Sequence, residues 1–264
     1  MILEEIVQAS SVRAQALDEQ GEMRGNASEG GQMIPPGLIH KPMSLLDAVR
    51  VPCGRNAVIA EIKPASPSRG HLRTITNPAS IAGELVRHGC SALSVITEPA
   101  FFFGSVATIP AIREMVPVPI LRKDFIVDTR QLIETRQLGA DAVLLIAAVL
   151  EDRLDEFVSV AQRQGLEPLV EVHTRKEVRH ALDTSADLIG VNNRNLKTLK
   201  TNISQTIHLA PLITQAGRTV ITESGVIWPC DIRTLRPYAQ GYLIGSSIMA
   251  AKSPGKRLEG FVCA

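Results

Sequence analysis

Eight short apolar runs, each followed by a polar or helix-like segment, constrain the fold of this chain more than any other feature. They are AVIAEI (57–62), ALSVI (92–96), VPIL (118–121), DAVLLI (141–146), EPLVEV (167–172), DLIGV (187–191), TVIT (219–222) and GYLIG (241–245). Runs that are apolar on both faces are typical of parallel strands covered by helices. Intervening segments such as TRQLIETRQLG have helical spacing and stop at a glycine, as many helices do.

This repetition predicts an α/β fold, namely a closed (β/α)8 barrel with an N-terminal helical extension. An open doubly wound sheet is the alternative, but no G-x-G-x-x-G motif follows the first run. We expect two parts: residues 1–42, a helix with a flexible connector, and residues 43–264, the barrel. The connector is the stretch 21–37, which is rich in Gly, Ser, Asn and Pro.

Charge and composition argue against several classes of protein. The 28 Lys and Arg residues oppose 27 Asp and Glu residues, so the basic excess of a nucleic-acid or anionic-membrane binder is missing. The longest apolar run, 142–150, is shorter than the roughly 20 residues of a membrane helix. Neither the cysteines nor the histidines have metal-site spacing. We expect a soluble, cytoplasmic protein without a metal site and without a nucleic-acid or membrane partner.

Charged and amide side chains recur where the predicted strands end, which is where functional residues gather in a barrel. They are Glu61 and Lys63 (first strand), Lys123 (third), Glu171 (fifth), Asn192 and Arg194 (sixth) and Glu223 (seventh). One such pair could be purely structural. Several buried charges at one end are harder to explain that way, because each is costly to desolvate. His173, which follows the fifth strand, is expected to hydrogen-bond locally.

Two further patterns indicate what this end of the barrel binds. The glycine turns ESG (223–225) and GSS (245–247) follow the last two strands, and backbone N–H groups of such turns at a helix N-terminus bind phosphate. Four of the six phenylalanines, Phe101, Phe102, Phe103 and Phe125, lie in the loops after the second and third strands. Their clustering suits a flat aromatic ligand.

Together these segments closely resemble the indole-3-glycerol phosphate synthase family. The motifs that carry the resemblance are IAEIKPASPSRG, SVITEPAFFFGS, ILRKDFIVD, LVEVH, IGVNNRNL, ITESG and YLIGSSIM, in the family's order. The resemblance implies conversion of 1-(2-carboxyphenylamino)-1-deoxy-D-ribulose 5-phosphate to indole-3-glycerol phosphate in tryptophan biosynthesis. It also implies release of carbon dioxide and water without a metal or cofactor.

The resemblance further implies roles for single residues. Lys123 would be the general acid in ring closure, and Glu171 would act in the acid–base steps of dehydration. Glu61 and Lys63 would assist proton transfer and hold the anthranilate carboxylate. The remaining matches are Asn192, Arg194 and Glu223 beside the substrate, Ser66, Gly225, Gly245 and Ser246 at the phosphate, and Phe102 and Phe125 in the aromatic pocket; Leu196, Ser224 and Leu243 complete the predicted site.

Two other functions remain as alternatives. Phosphoribosylanthranilate isomerase shares the barrel and the phosphate site, but that family relies on a Cys after strand one and an Asp near strand six. This chain has Glu61, Lys63 and Asn192 at those places. A non-catalytic barrel that binds a sugar phosphate would not need Lys63, Lys123 and Glu171 together. The expected partner is a small phosphorylated molecule with an anthranilate ring, and the expected state is a monomer or weak homodimer.

Overall fold

A computed structural model describes residues 2–18, 41–50, 54–195 and 198–264. The proposed connector 21–37 and the predicted site residue Leu196 lie outside these ranges. The division of the chain at residue 42 therefore stays a prediction.

Eight parallel strands close a barrel within the described residues. In chain order they are β1 (Ala57–Ile62), β4 (Ala92–Ile96), β5 (Ile120–Lys123), β6 (Ala142–Ile146), β7 (Glu167–Val172), β8 (Leu188–Asn192), β9 (Thr219–Glu223) and β10 (Gly241–Ile244). Each pairs with its neighbours along the chain, and β10 pairs with β1. Between β1 and β4, β2 (Ala65–Ser66) and β3 (Gly70–His71) form a small antiparallel hairpin. The predicted (β/α)8 barrel is confirmed.

The third barrel strand begins later than its apolar run predicts. The run covers 118–121, whereas β5 extends from Ile120 to Lys123. Pro119 has no N–H group to donate to a ladder, and regular pairing with β4 starts at Ile120. The strand continues past the apolar run through Arg122 and ends at Lys123, the residue that the sequence predicts at the end of the third strand.

Helices follow or flank these strands. They are α1 (Ile2–Gln15), α2 (Leu45–Arg50), α3 (Pro78–Arg87), α4 (Thr108–Arg113), α5 (Arg130–Gln137), α6 (Ala147–Leu150), α7 (Leu154–Arg163), α8 (Arg175–Leu182), α9 (Ser204–Gln215), α10 (Pro229–Leu235), α11 (Ser246–Met249) and α12 (Pro254–Val262), with a 3-10 turn at Glu151–Arg153. In the part of the chain that is described, no helix combines the length and apolar character needed to cross a membrane.

The strands separate two apolar layers. On β1, Val58 and Ala60 pack with the surrounding helices, whereas Ala57 and Ile59 fill the barrel interior. Successive side chains of a strand alternate between its faces, so Glu61 lies on the interior face, two residues after Ile59. An acid in an apolar strand is therefore placed inside the barrel near its C-terminal end.

Helix α1 lies against the same end of the barrel. Arg13 donates to both carboxylate oxygens of Asp124, at 2.9 and 3.2 Å, and Asp124 directly follows β5. Leu3 and Ile6 of the helix line the cavity at the barrel mouth. The N-terminal helix is thus part of the wall of that cavity.

A buried ion pair at the opposite end of the strands generates a stability prediction. Arg113 contacts Asp141 at 2.6 Å and also donates to the carbonyl oxygens of Val116 and Val118. Arg113→Met would remove the cation that contacts the buried Asp141 carboxylate at 2.6 Å. We expect a loss of about 3–5 kcal/mol in the free energy of unfolding, measured by urea denaturation.

The control is Arg163→Met, which changes an exposed arginine in the last turn of α7. Its loss should stay within about 1 kcal/mol, the size of a helix-dipole contribution. Equal losses in the two variants would show that the buried pair has no special role.

Candidate active site

The carboxyl ends of the barrel strands line one cavity, and all but two of the predicted site residues lie in its wall. Those in the wall are Glu61, Lys63, Ser66, Phe102, Lys123, Phe125, Glu171, Asn192, Arg194, Glu223, Ser224, Leu243, Gly245 and Ser246. Leu196 is outside the described residues. Gly225 does not line the cavity: a Cβ atom there would meet Ile203 Cγ2 at 3.1 Å. Its φ of +85°, after a φ of +60° at Ser224, shapes the turn instead.

The ammonium group of Lys123 lies between two carboxylates at the floor of this cavity. Its Nζ atom is 3.2 Å from Glu171 Oε2 and 3.2 Å from Glu223 Oε2. Burial disfavours the charge, but Glu223, Glu171 and Glu61 outweigh that effect and raise the pKa of Lys123 above its ordinary value. Lys123 is therefore a protonated, positioned cation at neutral pH.

The two carboxylates that share Lys123 have different proton affinities. Burial tends to raise both pKa values, but Lys123, His173 and a hydrogen bond with Asn192 lower the pKa of Glu171 to about 2. Burial dominates at Glu223: the attraction of Lys123 is opposed by repulsion from Glu171, and the pKa of Glu223 rises to about 7. One carboxylate is thus firmly ionised, and the other exchanges a proton near neutral pH.

A second ion pair joins Glu61 to Lys63 at the end of β1. The Glu61 side chain is nearly inaccessible, whereas Lys63 is 13% exposed and reaches the cavity. The spacing of two residues places both groups on one side of the strand. The site therefore holds two lysines: Lys63 is paired with one buried carboxylate and Lys123 with two.

Two glycines make room for these carboxylates. A Cβ atom on Gly190 would overlap the carboxylate of Glu223, and one on Gly245 would overlap that of Glu61. Gly245 was predicted from its turn as part of a phosphate cradle. The structure adds a second reason for a glycine there, because any side chain would displace Glu61.

The apolar side of the cavity contains the predicted aromatic pair. The ring centroids of Phe102 and Phe125 are 6.2 Å apart, with the planes inclined by 36°. Phe103 is 65% exposed, and neither it nor Phe101 lines the cavity. Of the four clustered phenylalanines, two therefore form a cavity wall.

Glu98 holds the loop that carries Phe102, a role that the sequence did not reveal. Its carboxylate is buried and accepts hydrogen bonds from the backbone N–H groups of Ala100, Phe101 and Phe102, at 2.8–3.0 Å. Glu98 lies two residues after the end of β4, and this position indicates that it is close to the site. The three amide contacts depend on the loop conformation and could not be read from the motif.

Cations and a buried hydroxyl lie on the polar side. Burial and the nearby guanidinium of Arg69 lower the pKa of Arg194, which shows that two cations lie close together there. Ser66 Oγ is buried and has no hydrogen-bond partner among the described residues. An anionic ligand with oxygen acceptors would satisfy these groups. No group of three or more His, Cys, Asp or Glu side chains suited to a metal ion occurs in the described ranges.

His173 makes the expected local hydrogen bond and a second contact that was not expected. Its backbone N–H donates to Glu177 Oε2 at 2.7 Å. Its ring reaches back towards the cavity, with Nε2 at 3.3 Å from Glu171 Oε1. The histidine thus connects the floor of the cavity to helix α8.

Sequence comparison supports a single family over almost the whole chain. A family model described as indole-3-glycerol phosphate synthase matches residues 4–261. A protein of that name from Carboxydothermus hydrogenoformans is 41% identical, and the alignment covers 98% of each chain. Another from Bordetella pertussis is 45% identical over 79% of this chain and 80% of its own.

Structure comparison identifies the same architecture in more distant proteins. The crystal structure of KGPDC from Streptococcus mutans matches with a TM-score of 0.61 and 13% identity. The match covers 78% of this chain and 95% of that one. At this identity the likeness shows the barrel fold alone.

The unequal carboxylates generate a prediction about pH and stability. Between its ordinary pKa of 4.5 and its raised value of about 7, Glu223 binds a proton more tightly in the folded protein than in the unfolded chain. This group therefore reduces stability as pH rises through that window. Glu223→Gln removes the reduction, so its free energy of unfolding should increase relative to wild type between about pH 5 and about pH 8.

Asp128→Asn provides the contrast, because Asp128 contacts none of the three groups around Lys123. Hydrogen bonds from Arg130 lower the pKa of Asp128, so its contribution is fully present above its unfolded pKa and is lost only at more acidic pH. Asp128→Asn should therefore change stability by a similar amount at about pH 5 and at about pH 8. Urea denaturation measures both variants, and identical pH trends in the two would contradict the assignment.

Proposed function

The chain belongs to the indole-3-glycerol phosphate synthase family, and we propose that its barrel mouth carries out that family's reaction with the residues described above. The substrate is 1-(2-carboxyphenylamino)-1-deoxy-D-ribulose 5-phosphate. The products are indole-3-glycerol phosphate, carbon dioxide and water. The proposal includes a role in tryptophan biosynthesis, in the cytoplasm, for a monomer or weak homodimer.

The observation that carries the proposal is the buried ammonium of Lys123 at the cavity floor. Ring closure joins a carbon of the aromatic ring to the ketone carbon of the sugar, whose oxygen must receive a proton as the bond forms. Lys123 remains charged because carboxylates surround it, and its side chain is 16% exposed towards the cavity. A lysine that is held protonated beside a binding cavity is suited to that donation.

Proton donation by Lys123 also changes the basicity of its neighbours. While Lys123 is charged it lowers the pKa of Glu171. Once the lysine has given up a proton, that attraction is lost and the pKa of Glu171 must rise. Glu171 then becomes a stronger base at the stage when dehydration requires removal of a proton from carbon. The contact of 3.2 Å therefore couples the acid step to the base step.

The substrate's other groups match the remaining walls of the cavity. The inclined rings of Phe102 and Phe125 suit the anthranilate ring, and Lys63 and Arg194 supply positive charge for its carboxylate. The unpartnered hydroxyl of Ser66 belongs to a residue of the cavity wall and is available to donate to the phosphate. Gly245 leads directly into α11, whose first backbone amides have no partner within the helix; Ser246 and Ser224 stand at the same turns.

The first functional prediction concerns Lys123→Met, which keeps the apolar stem but cannot donate a proton. We expect kcat to fall by about 10²–10⁴-fold, as for loss of a general acid, while KM stays within a few-fold of wild type. The assay follows indole fluorescence after addition of the substrate. Lys256→Met, at an exposed position of α12, should retain wild-type kcat. Wild-type turnover by Lys123→Met would show that another group is the acid.

The second functional prediction concerns the aromatic wall. Phe125→Ala should weaken substrate binding by about 1–3 kcal/mol, because an aromatic contact and its apolar burial are lost. Substrate binding is measured by fluorescence quenching, or by KM under conditions in which the chemical step is slow relative to substrate dissociation. Phe103→Ala changes an exposed ring outside the cavity wall and should leave binding unchanged. Similar losses from both variants would show that loop conformation, not ring contact, controls binding.

A further inference from the structure

A second cavity lies beside the first, beyond the ends of β7 and β8. Its volume is about 470 Å³. Polar residues supply most of its lining, among them His173, Thr174, Glu177, Asn193, Lys200 and Gln205. Asn192 and Arg194 line both cavities. Nothing in the proposed ring closure uses this space.

A chain of close contacts connects Lys123 to the second cavity. Lys123 Nζ lies 3.2 Å from Glu171 Oε2, and the other oxygen of that carboxylate lies 3.3 Å from His173 Nε2. His173 Nδ1 is in turn 3.3 Å from Glu177 Oε2. Glu171 thus uses one oxygen for the lysine and the other for the histidine.

The charges around His173 favour its protonated form. Burial opposes that charge, but the carboxylates of Glu177, Glu171 and Glu223, on α8, β7 and β9, act against burial and raise its pKa. The cations Lys200 and Arg194 also line the second cavity. Nε2 is buried and makes no well-aligned hydrogen bond among the described residues, although Glu171 Oε1 lies 3.3 Å from it. Glu177 holds the proton on Nδ1, so the proton on Nε2 is the one that can move to Glu171.

The proposed reaction, on which this inference rests, consumes a proton in each turnover. The ketone oxygen gains two protons and leaves as water, whereas one proton is removed from the neighbouring carbon as the indole forms. The carboxylate leaves as neutral carbon dioxide. One proton must therefore enter from outside each time, while the substrate fills the main cavity.

We propose that His173, held by Glu177, relays this proton from the second cavity through Glu171 to Lys123 after ring closure and before dehydration. Lys123 then donates a second time, to the leaving hydroxyl group, and Glu171 is ionised again when it takes the proton from carbon and returns it to Lys123. The Nε2–H bond of the imidazolium breaks as an O–H bond forms on Glu171 Oε1. The carboxyl group turns about its Cγ–Cδ bond, and the proton passes to the neutral Nζ of Lys123, which restores the ammonium. The neutral ring turns towards the second cavity and takes a proton from a hydronium ion or a buffer acid.

Glu177 also has a local role in helix α8, which the test must separate from the relay. Thr174 is the N-cap residue of the helix and accepts a hydrogen bond from the Glu177 backbone N–H at 3.2 Å. Its hydroxyl donates to Glu177 Oε1 at 2.8 Å, the oxygen that does not contact the ring. Thr174→Ala would disturb Glu177 as well as the cap, so the control is Arg179→Gly at an exposed position of α8. Glycine weakens the same helix there and leaves the contact between His173 and Glu177 in place.

The test compares His173→Ala with Arg179→Gly in the indole fluorescence assay. We expect kcat of His173→Ala to fall at least about tenfold with KM within twofold, and Arg179→Gly to keep wild-type kcat. Added imidazole should restore turnover in proportion to its protonated form, because the deleted ring leaves space beside the second cavity. Pyrazole has the same shape but is hardly protonated near neutral pH, and it should not restore turnover.

Three results would overturn the relay: wild-type kcat in His173→Ala, equal restoration by pyrazole and imidazole, or no restoration by imidazole. If His173→Ala does not fold, His173→Gln is used instead, because glutamine fills the space but does not take up or release a proton near neutral pH. Its kcat should fall by the same factor. A wild-type kcat in His173→Gln would overturn the relay. Absence of turnover in the wild type would instead contradict the proposed function, and the relay with it.

Discussion

The charge of Lys123 is the interaction around which the mouth of this barrel is organised. A buried ammonium costs several kcal/mol to desolvate, so carboxylates must accompany it. Glu171 and Glu223 do so at equal distances of 3.2 Å, but two carboxylates in contact with one cation also repel each other. The result is an unequal pair, in which Glu171 remains ionised and Glu223 has a raised pKa. Acid and base functions at one pH follow from that inequality.

The positions of two of the carboxylates depend on nearby glycines, which have no Cβ atom. Glu223 occupies space above Gly190, and Glu61 occupies space above Gly245. In a closely packed barrel interior, even one added methyl group requires a neighbour to move. The glycines therefore determine where the charged ends of these side chains lie, although they bear no reactive group themselves.

The barrel could be predicted from the sequence because parallel strands buried on both faces have a clear apolar pattern. The C-terminal ends of the strands could be predicted as well, because Glu61 and Lys123 interrupt that pattern there. The start of β5 was misplaced, because an apolar run does not reveal where Pro119 interrupts hydrogen bonding. The contacts of Glu98 with three backbone amides and of His173 with Glu171 could not be predicted from the sequence. Both depend on how the loops fold and pack against the strands.

The pairing of β1 with β10 has a consequence for the order of events during synthesis on the ribosome. Glu61 belongs to the first strand to emerge, yet the backbone against which its carboxylate rests, at Gly245, is among the last. The nascent chain must therefore carry an unpaired strand edge until the final strand–helix unit is made. The barrel closes and the acidic site is completed in the same late step. Partly synthesised chains are therefore inactive and are exposed to aggregation.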